Sequence, residues 1–518
     1  MSIIDVPEAG AIKQRFSELE TVRNKYRDRA REYAKVTIPF LVPEVENTDT
    51  IEFQNDYNTE GAKLVSNLAN SYVETLFPAG RSFIKLNMPA EDYVAHEQEG
   101  RSKTDIDSTF AIVERDFRTH FDRVQSRPTM LEGLLQLIVT GNVCLYKAQD
   151  GMLQSYAIDE YVVLRSLDGT LLELITEDKK YIGSLSPELR AEVIADMQLD
   201  EDDIETEVTL YTYVRRDPEN PDTWYVDQAV EATPVGEQNT YSTEKLRWIP
   251  VMWTRTRREM YGRGLVEQHY GSLWTLSILS EALAVGCVTL SDIKYLVRPG
   301  SMVDIKELNE SASGTYHYGD VDDINAISTD RARDMQLIEV VLERYKRHLA
   351  EVFMFLPGTM RDAERVTAEE NRLRARSLEQ AHGGVYSSLA VTMQKPYARL
   401  LLEEMNVKGL SESGVSIDIT TGIDALSRGN ENDRINHWFA DLAAANNIPP
   451  HLQPYFRSED FLKTTASGRD VDHSKLLNTE EEVQAQMAAQ QEAQAQNIAG
   501  EAMVKNADAQ DVAQAMQR

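Results

Sequence analysis

Only two of the 518 residues are cysteine, Cys144 and Cys287, and both lie in apolar stretches. No disulfide framework can hold this fold together, and both thiols read as small buried hydrophobes of a reduced protein. Positive charge is scarce as well: 54 Lys and Arg face 85 Asp and Glu, a formal net charge of −31. A protein that coats DNA or an anionic membrane needs dense Lys and Arg against phosphates, so that class is excluded and any nucleic-acid role must be local. No uninterrupted apolar run approaches the roughly 18 residues that span a bilayer. The first eight residues lack the basic region and apolar run of a secretory signal, so the chain reads as cytosolic when made.

Catalytic signatures are missing too. There is no Gly-x-x-x-x-Gly-Lys-Ser/Thr phosphate loop, no His-Glu-x-x-His zinc helix and no Gly-x-Ser-x-Gly elbow. Gly262-Arg263-Gly264 starts like a dinucleotide fingerprint, but Glu267 stands where the third glycine is needed. The nine histidines are scattered, and His317, His348 and His382 read as surface or packing residues. The run Asp200-Glu201-Asp202-Asp203, with Glu205 and Glu207, lacks the glycine-centred spacing of a calcium loop and reads as a solvated connector. No enzyme activity, cofactor or metal is expected.

What is present is material for about three or four domains, with 42% apolar and 27% charged residues. The first quarter is helical. Ile12, Phe16, Leu19, Val22, Tyr26, Ala30 and Tyr33 recur at helical spacing from Glu8 to Lys35, and Pro39 stops the run. Further helices are predicted over Thr59 to Leu76 and Ser102 to Arg123, and a fourth from Pro128 to Gly141. After Gly141, β-branched and aromatic segments between turn signals predict strands at 143–146, 161–164, 171–176, 207–214, 223–229 and 249–254, with a helix at Ser186 to Met197. Leu265 to Leu290 is apolar and proline-free, suiting a helix buried between neighbours in this protein or in another copy. Residues 294–329 are short, Gly-bearing and strand-like, and a helix resumes from Arg331 to Phe355. Leu356 to Arg365 breaks it. A helix then starts near Thr367 and Glu370, which have capping-box spacing, and runs towards Met405 with bends at Gly383-Gly384 and Pro396. A strand at 415–420 and a helix at 424–445 follow. Residues 478–518 contain 11 Ala and 9 Gln with no Pro, a tail that would become helical only against a partner.

Local basic groups interrupt the acidic background. Lys245, Arg247, Arg255, Arg257, Arg258 and Arg263 precede the long apolar helix, Arg344, Lys346 and Arg347 lie on the helix after the insert, and Arg361 and Arg365 on the break that follows. Salt bridges to the surplus carboxylates and capping are weighed against a phosphate role for the first group, and for Arg361 and Arg365 the loop position puts phosphate contact level with those plainer roles.

The segment Tyr33-Ala34-Lys35-Val36-Thr37-Ile38-Pro39-Phe40-Leu41-Val42-Pro43 resembles the early part of the portal proteins, or head-to-tail connectors, of short-tailed double-stranded DNA bacteriophages. So do Glu364-Arg365-Val366-Thr367-Ala368-Glu369-Glu370 followed by Gly383-Gly384-Val385-Tyr386-Ser387, together with Gly141-Asn142-Val143, Tyr261-Gly262-Arg263 and Thr421-Gly422. The resemblance implies an α+β, predominantly helical portal fold. Its wing would comprise residues 1–262 and 366–420, and its stem helices 263–292 and 331–355. The clip would be 293–330, the channel loop 356–365, the crown 421–477 and the tail 478–518. It implies a ring of twelve subunits at one capsid vertex, with double-stranded DNA, a terminase motor, major capsid and scaffolding proteins, tail adaptors and internal core proteins as partners, and no membrane. Arg344, Lys346, Arg347, Arg361 and Arg365 would face the DNA. Twelve chains at −31 each would carry roughly −370 formal charges, a wall past which DNA slides and to which it does not stick. Two other classes are weighed beside it: a helical scaffolding or core protein of the virion, and a metal-dependent nuclease using the carboxylate-rich segments.

Overall fold

The computed structural model describes residues 10–44, 58–78, 82–89, 92, 103–198, 204–291, 294–301, 303–318, 320–327, 332–355, 382, 384–405, 415–419, 438 and 465. The chain divides into two compact units, Met1–Ile423 and Asp424–Arg518. In the second, the Trp438 indole donates to Thr465 Oγ1 at 3.1 Å.

Helix α1 (Ala11–Lys35) uses its apolar stripe twice. Ile12, Phe16 and Leu19 bury against Val162, Ile175, Tyr211 and Ala229 of a β-sheet, while Ala30 and Ala34 enter the main core. Its end is followed by a 3-10 turn at Pro39–Leu41. Helices α2 (Glu60–Leu76), α3 (Lys103–Arg123) and α4 (Ser126–Thr140) follow, each within two residues of its sequence boundary. Between α2 and α3 lies β1 (Ile84–Asn87), which pairs antiparallel with β12 (Ser416–Ile419). The β12 segment alternates visibly in the sequence; β1 is four residues without a turn signal and is missed.

The β-rich section forms two antiparallel sheets. One is β3-β2-β9, from β2 (Asn142–Lys147), β3 (Leu153–Tyr156) and β9 (Trp248–Met252). The other is a five-stranded meander of β4 (Tyr161–Arg165), β5 (Leu171–Tyr181), β6 (Glu207–Arg216), β7 (Thr223–Val230) and β8 (Thr233–Ser242). Helix α5 (Pro187–Met197) sits between β5 and β6, capped by Ser186 accepting from Leu189 N. Strand β8 is absent from the sequence reading because none of its residues is buried and most are polar, with no apolar alternation to find. Asp200 to Asp203 lie outside the described residues.

The long apolar segment is α6 (Leu265–Ser291) and its partner is α8 (Ala332–Val352). The insert between them contains β10 (Lys294–Val297) paired with β11 (Ile324–Ile327), and a short α7 (Ile305–Glu310). Gly314 to Tyr318, expected to be strand-like, is a turn followed by unpaired extended chain, with Tyr316 and Tyr318 both 101% exposed. After residue 384 the chain is helical, passes through a π-helical turn at Ala390–Gln394, and continues as α9 (Lys395–Glu404). Pro396 follows the π turn directly, inside a chain that is helical on both sides, so the backbone irregularity in this helix sits immediately before the residue that lacks an N–H. The capping box at Thr367, the helix at 424–445 except Trp438, and the tail lie outside the described residues.

A candidate stem and channel site

The start of α6 is tied to α4 and β2 by a knot of glycines around one asparagine. Asn142 is buried; its Oδ1 accepts from Gly262 N at 2.6 Å, and its Nδ2 donates to Gly262 O at 2.9 Å and Thr140 O at 3.0 Å. Gly141 ends α4 at φ +81°, and a Cβ there would come within 2.5 Å of the Arg263 carbonyl carbon. A Cβ on Gly264 would lie 2.7 Å from the carbonyl oxygens of both Ile138 and Val139. Only hydrogen fits at these crossings. Beside the knot, the Tyr261 hydroxyl accepts from Val163 N at 3.1 Å. The Arg263 guanidinium bridges Glu259 and Glu267, and this bond is the main reason Glu259 is held below the usual carboxylate range.

Three of the six basic residues before α6 are thus structural. Arg263 staples its own turn, Lys245 pairs with Glu403 of α9 at 2.6 Å, and Arg247 donates to Lys147 O at 3.4 Å. Arg255, Arg257 and Arg258 are exposed. Helix α9 is also held by Lys147, whose buried ammonium lies 3.0 Å from Glu404, and by His120, whose Nε2 is 3.3 Å from the same carboxylate. Burial alone would raise the Glu404 pKa, but the hydrogen bonds from Lys147 and His120 outweigh it and the pKa falls. No motif announces this cluster, because its members come from α3, β2 and α9.

Helices α6 and α8 run antiparallel, with Gly286 against the Met335 side chain near one end and His269 against His348 near the other. Leu273 and Leu276 of α6, and Leu342, Leu349 and Phe353 at and after α8, are buried. The expectation that α6 is largely buried fails for a single chain. Trp274, Ile278 and Val285, spaced along one stripe at about 100° per residue, are 47%, 46% and 52% exposed. Cys287 is exposed too, contrary to the reading of both thiols as buried, because it lies near the far end of α6. By length and composition α6 would pass for a membrane span over Leu265–Thr289, with mean hydropathy 1.4. On α8, Leu337 and Val340 are 65% and 67% exposed, on the side opposite Leu342 and Leu349. The hairpin therefore carries outward apolar side chains on both of its helices, away from their mutual contact.

Of the sequence-predicted DNA-facing residues, Arg344 and Arg347 lie on that same outer side of α8 and are exposed. Lys346 sits on the flank of the packed side, 3.7 Å from Glu343. Arg361 and Arg365 lie outside the described residues. Among the described residues no group of three or more His, Cys, Asp or Glu could hold a metal.

Residues 9–414 match the family model described as bacteriophage head to tail connecting protein. The portal protein of Enterobacteria phage SP6 is 34% identical over 494 residues, covering 95% of this chain and 95% of that protein. The portal protein of Enterobacteria phage T3 is 29% identical, covering 93% and 90%. Among solved structures, the neck of an empty gene transfer agent particle is 11% identical at a TM-score of 0.37, over 80% of this chain and 90% of that one.

Proposed function

The chain belongs to the bacteriophage head-to-tail connecting protein family, and from that premise we propose that it is the portal of a short-tailed phage, a virion component at the junction of head and tail. The observation that carries this is the end-to-end match to a protein of that role, which leaves no large part of the chain over for another activity. The scaffolding and nuclease alternatives are not favoured, and the role is structural.

In finer detail we propose a ring, with twelve copies as the expected number. A chain with apolar residues on two different outer sides of one helical hairpin suits a head-to-tail interface, in which side one of each copy meets side two of the next. The wing comprises residues 1–262 and 366–420, the stem is the α6–α8 hairpin, and the clip is the insert of β10, α7 and β11. Residues 356–365 form the channel loop, 421–477 the crown and 478–518 the tail. Double-stranded DNA passes through the ring, driven by a terminase motor at the clip, which tail adaptors later occupy. Major capsid, scaffolding and internal core proteins contact the rest. No residue of the chain needs to do covalent chemistry for this.

Arg344, Arg347, Arg361 and Arg365 are the proposed phosphate contacts, while Lys346, already beside Glu343, contributes less. Negative-stain electron microscopy of the purified chain tests the assembly: rings with a central hole support it, and filaments or extended dimers refute it. Alanine at Arg344, Arg347, Arg361 and Arg365 should lower packaged DNA per particle; unchanged packaging and retention removes these residues from the proposal.

A further inference from the structure

His269 and His348 face each other across the hairpin, and a third histidine, His382, lies within range of the His269 charge. His269 of α6 and His348 of α8 have ring centroids 6.4 Å apart, and His269 is also 6.4 Å from the Phe353 ring. His382, half-buried on the wing side, lies 6.3 Å from the Trp253 ring and 6.2 Å from the Tyr72 ring of α2. Two polar atoms there are buried with no hydrogen-bond partner among the described residues: His382 Nδ1 and the Tyr72 hydroxyl. A buried polar pair left open between facing rings marks a contact that another arrangement could satisfy better.

We propose that His269, His348 and His382 form a proton-sensitive joint, closed when the imidazoles are neutral and loosened when two of them are charged. Among the described residues, no carboxylate acts on His269 or His382. On α6 the nearest carboxylate, Glu267, is engaged by Arg263. On α8, His348 has Arg347 before it and Glu351 one turn on, both exposed. On α2, Lys63 sits 4.6 Å from the Phe355 ring and pairs with Glu60, and Tyr72 adds only its hydroxyl. Trp253 is uncharged.

Burial first, and His348 second, push the His269 pKa below the ordinary imidazole value; burial first, and His269 second, do the same to His382. An opened joint takes up protons more readily than a closed one. Its closure is therefore complete above about pH 6.5 and weakens as pH falls below that value. This deepens the portal reading: a stem that loosens on the wing at mildly acidic pH gives the assembled ring a second state.

The test is hydrogen–deuterium exchange on the assembled full-length protein at pH 7.5 and 5.5, corrected for the intrinsic rate. Stem-base peptides covering 265–276 and 345–355 are read against β5 to β7 as internal reference. Protection at the stem base should fall by up to about tenfold at pH 5.5, one pH unit below the ordinary imidazole value, with the reference unchanged. His269→Gln with His348→Gln should cut that change below about twofold; if the pair does not fold, His348→Gln alone, at an exposed ring, should at least halve it. Equal loss in parent and variant, or no loss in the parent, overturns the joint. Intact rings with pH-independent exchange would sink the joint and leave the portal reading standing, whereas failure to form rings sinks the latter and leaves the exchange readable.

Discussion

Replacing Asn142 with alanine should be among the most damaging single changes in the first 262 residues. The side chain satisfies Gly262 N, Gly262 O and Thr140 O, and Asn142 is 1% exposed, so no water reaches the groups left behind. A buried backbone group that loses its partner costs about 1–3 kcal/mol. Relaxation of the Gly262 strand recovers part of that, which puts Asn142→Ala at about 3–5 kcal/mol. Asn142→Asp should be no better, because it keeps the acceptor for Gly262 N but turns a carboxylate towards two carbonyl oxygens. Lys245→Ala is the control: it removes an ion pair whose side chains are 60% and 44% exposed, worth about 1 kcal/mol or less. Urea unfolding at pH 7.5 gives the comparison, followed by tryptophan fluorescence. Trp253 is a local reporter, since its backbone N–H donates to Gly141 O at 2.9 Å and its ring is buried. If Asn142→Ala lowers stability by no more than Lys245→Ala does, the knot does not anchor α6 and the reasoning fails.

Gly264→Ala pushes a methyl against the Ile138 and Val139 carbonyls, which cannot rotate away as side chains can, so a loss of about 2–4 kcal/mol and poor ring yield are expected in the same unfolding assay and on grids. Maleimide should label Cys287 in dissociated chains and much less in rings, while Cys144 stays unreactive in both because burial pushes its thiol pKa up; equal Cys287 labelling in both states would exclude the outer end of α6 from the interface. Glu404→Gln should cost about 1–2 kcal/mol at pH 7, a figure kept low because the carboxylate is partly open to solvent. The Glu404 pKa is depressed, so its contribution is fully present above the ordinary value near 4.5 and is lost as pH falls through the lower folded-state value; the gap between parent and variant should narrow steadily below about pH 4.5 in thermal melts.

The elements with strong local signals are those readable without the structure. Helix α1 shows itself through a stripe of apolar residues and a stopping proline, and α5 through Ser186-Pro187 at its start. Strand β8 is invisible because neither face is well buried, and β1 because its stability comes from β12, more than 320 residues away. The same distinction applies to the site. The basic residues could be collected by eye, but their roles depend on partners: Lys245 and Arg263 are consumed by Glu403, Glu259 and Glu267, whereas Arg344 and Arg347 are left on an open helix face. Gly141-Asn142 and Tyr261-Gly262-Arg263 stood out as separate family-like motifs. Their common cause is one three-dimensional contact, which explains why two short segments about 120 residues apart carry the same chemistry.

Helix α6 alone could be taken for a membrane span, and its partner decides against that. Helix α8 carries Glu339, Glu343, Arg344, Lys346, Arg347 and Glu351 along its length. At about 2.5–3.5 kcal/mol for a charged residue at the centre of a bilayer helix, inserting the pair would cost far more than the apolar face of α6 could return. Trp274, Ile278 and Val285 are already about half buried, so covering what remains of them with protein stabilises by roughly 0.7–1.5 kcal/mol each. Leu337 and Val340 offer the complementary apolar surface on the other side of the same hairpin. The charges on α8 tolerate this arrangement, because a helix face shared between copies can leave Arg344 and Arg347 in water along one edge. An interface of two different patches repeats with every added copy, and only closure into a ring leaves neither patch bare. On the proposed ring, the most hydrophobic helix of an acidic chain is a seam between identical subunits.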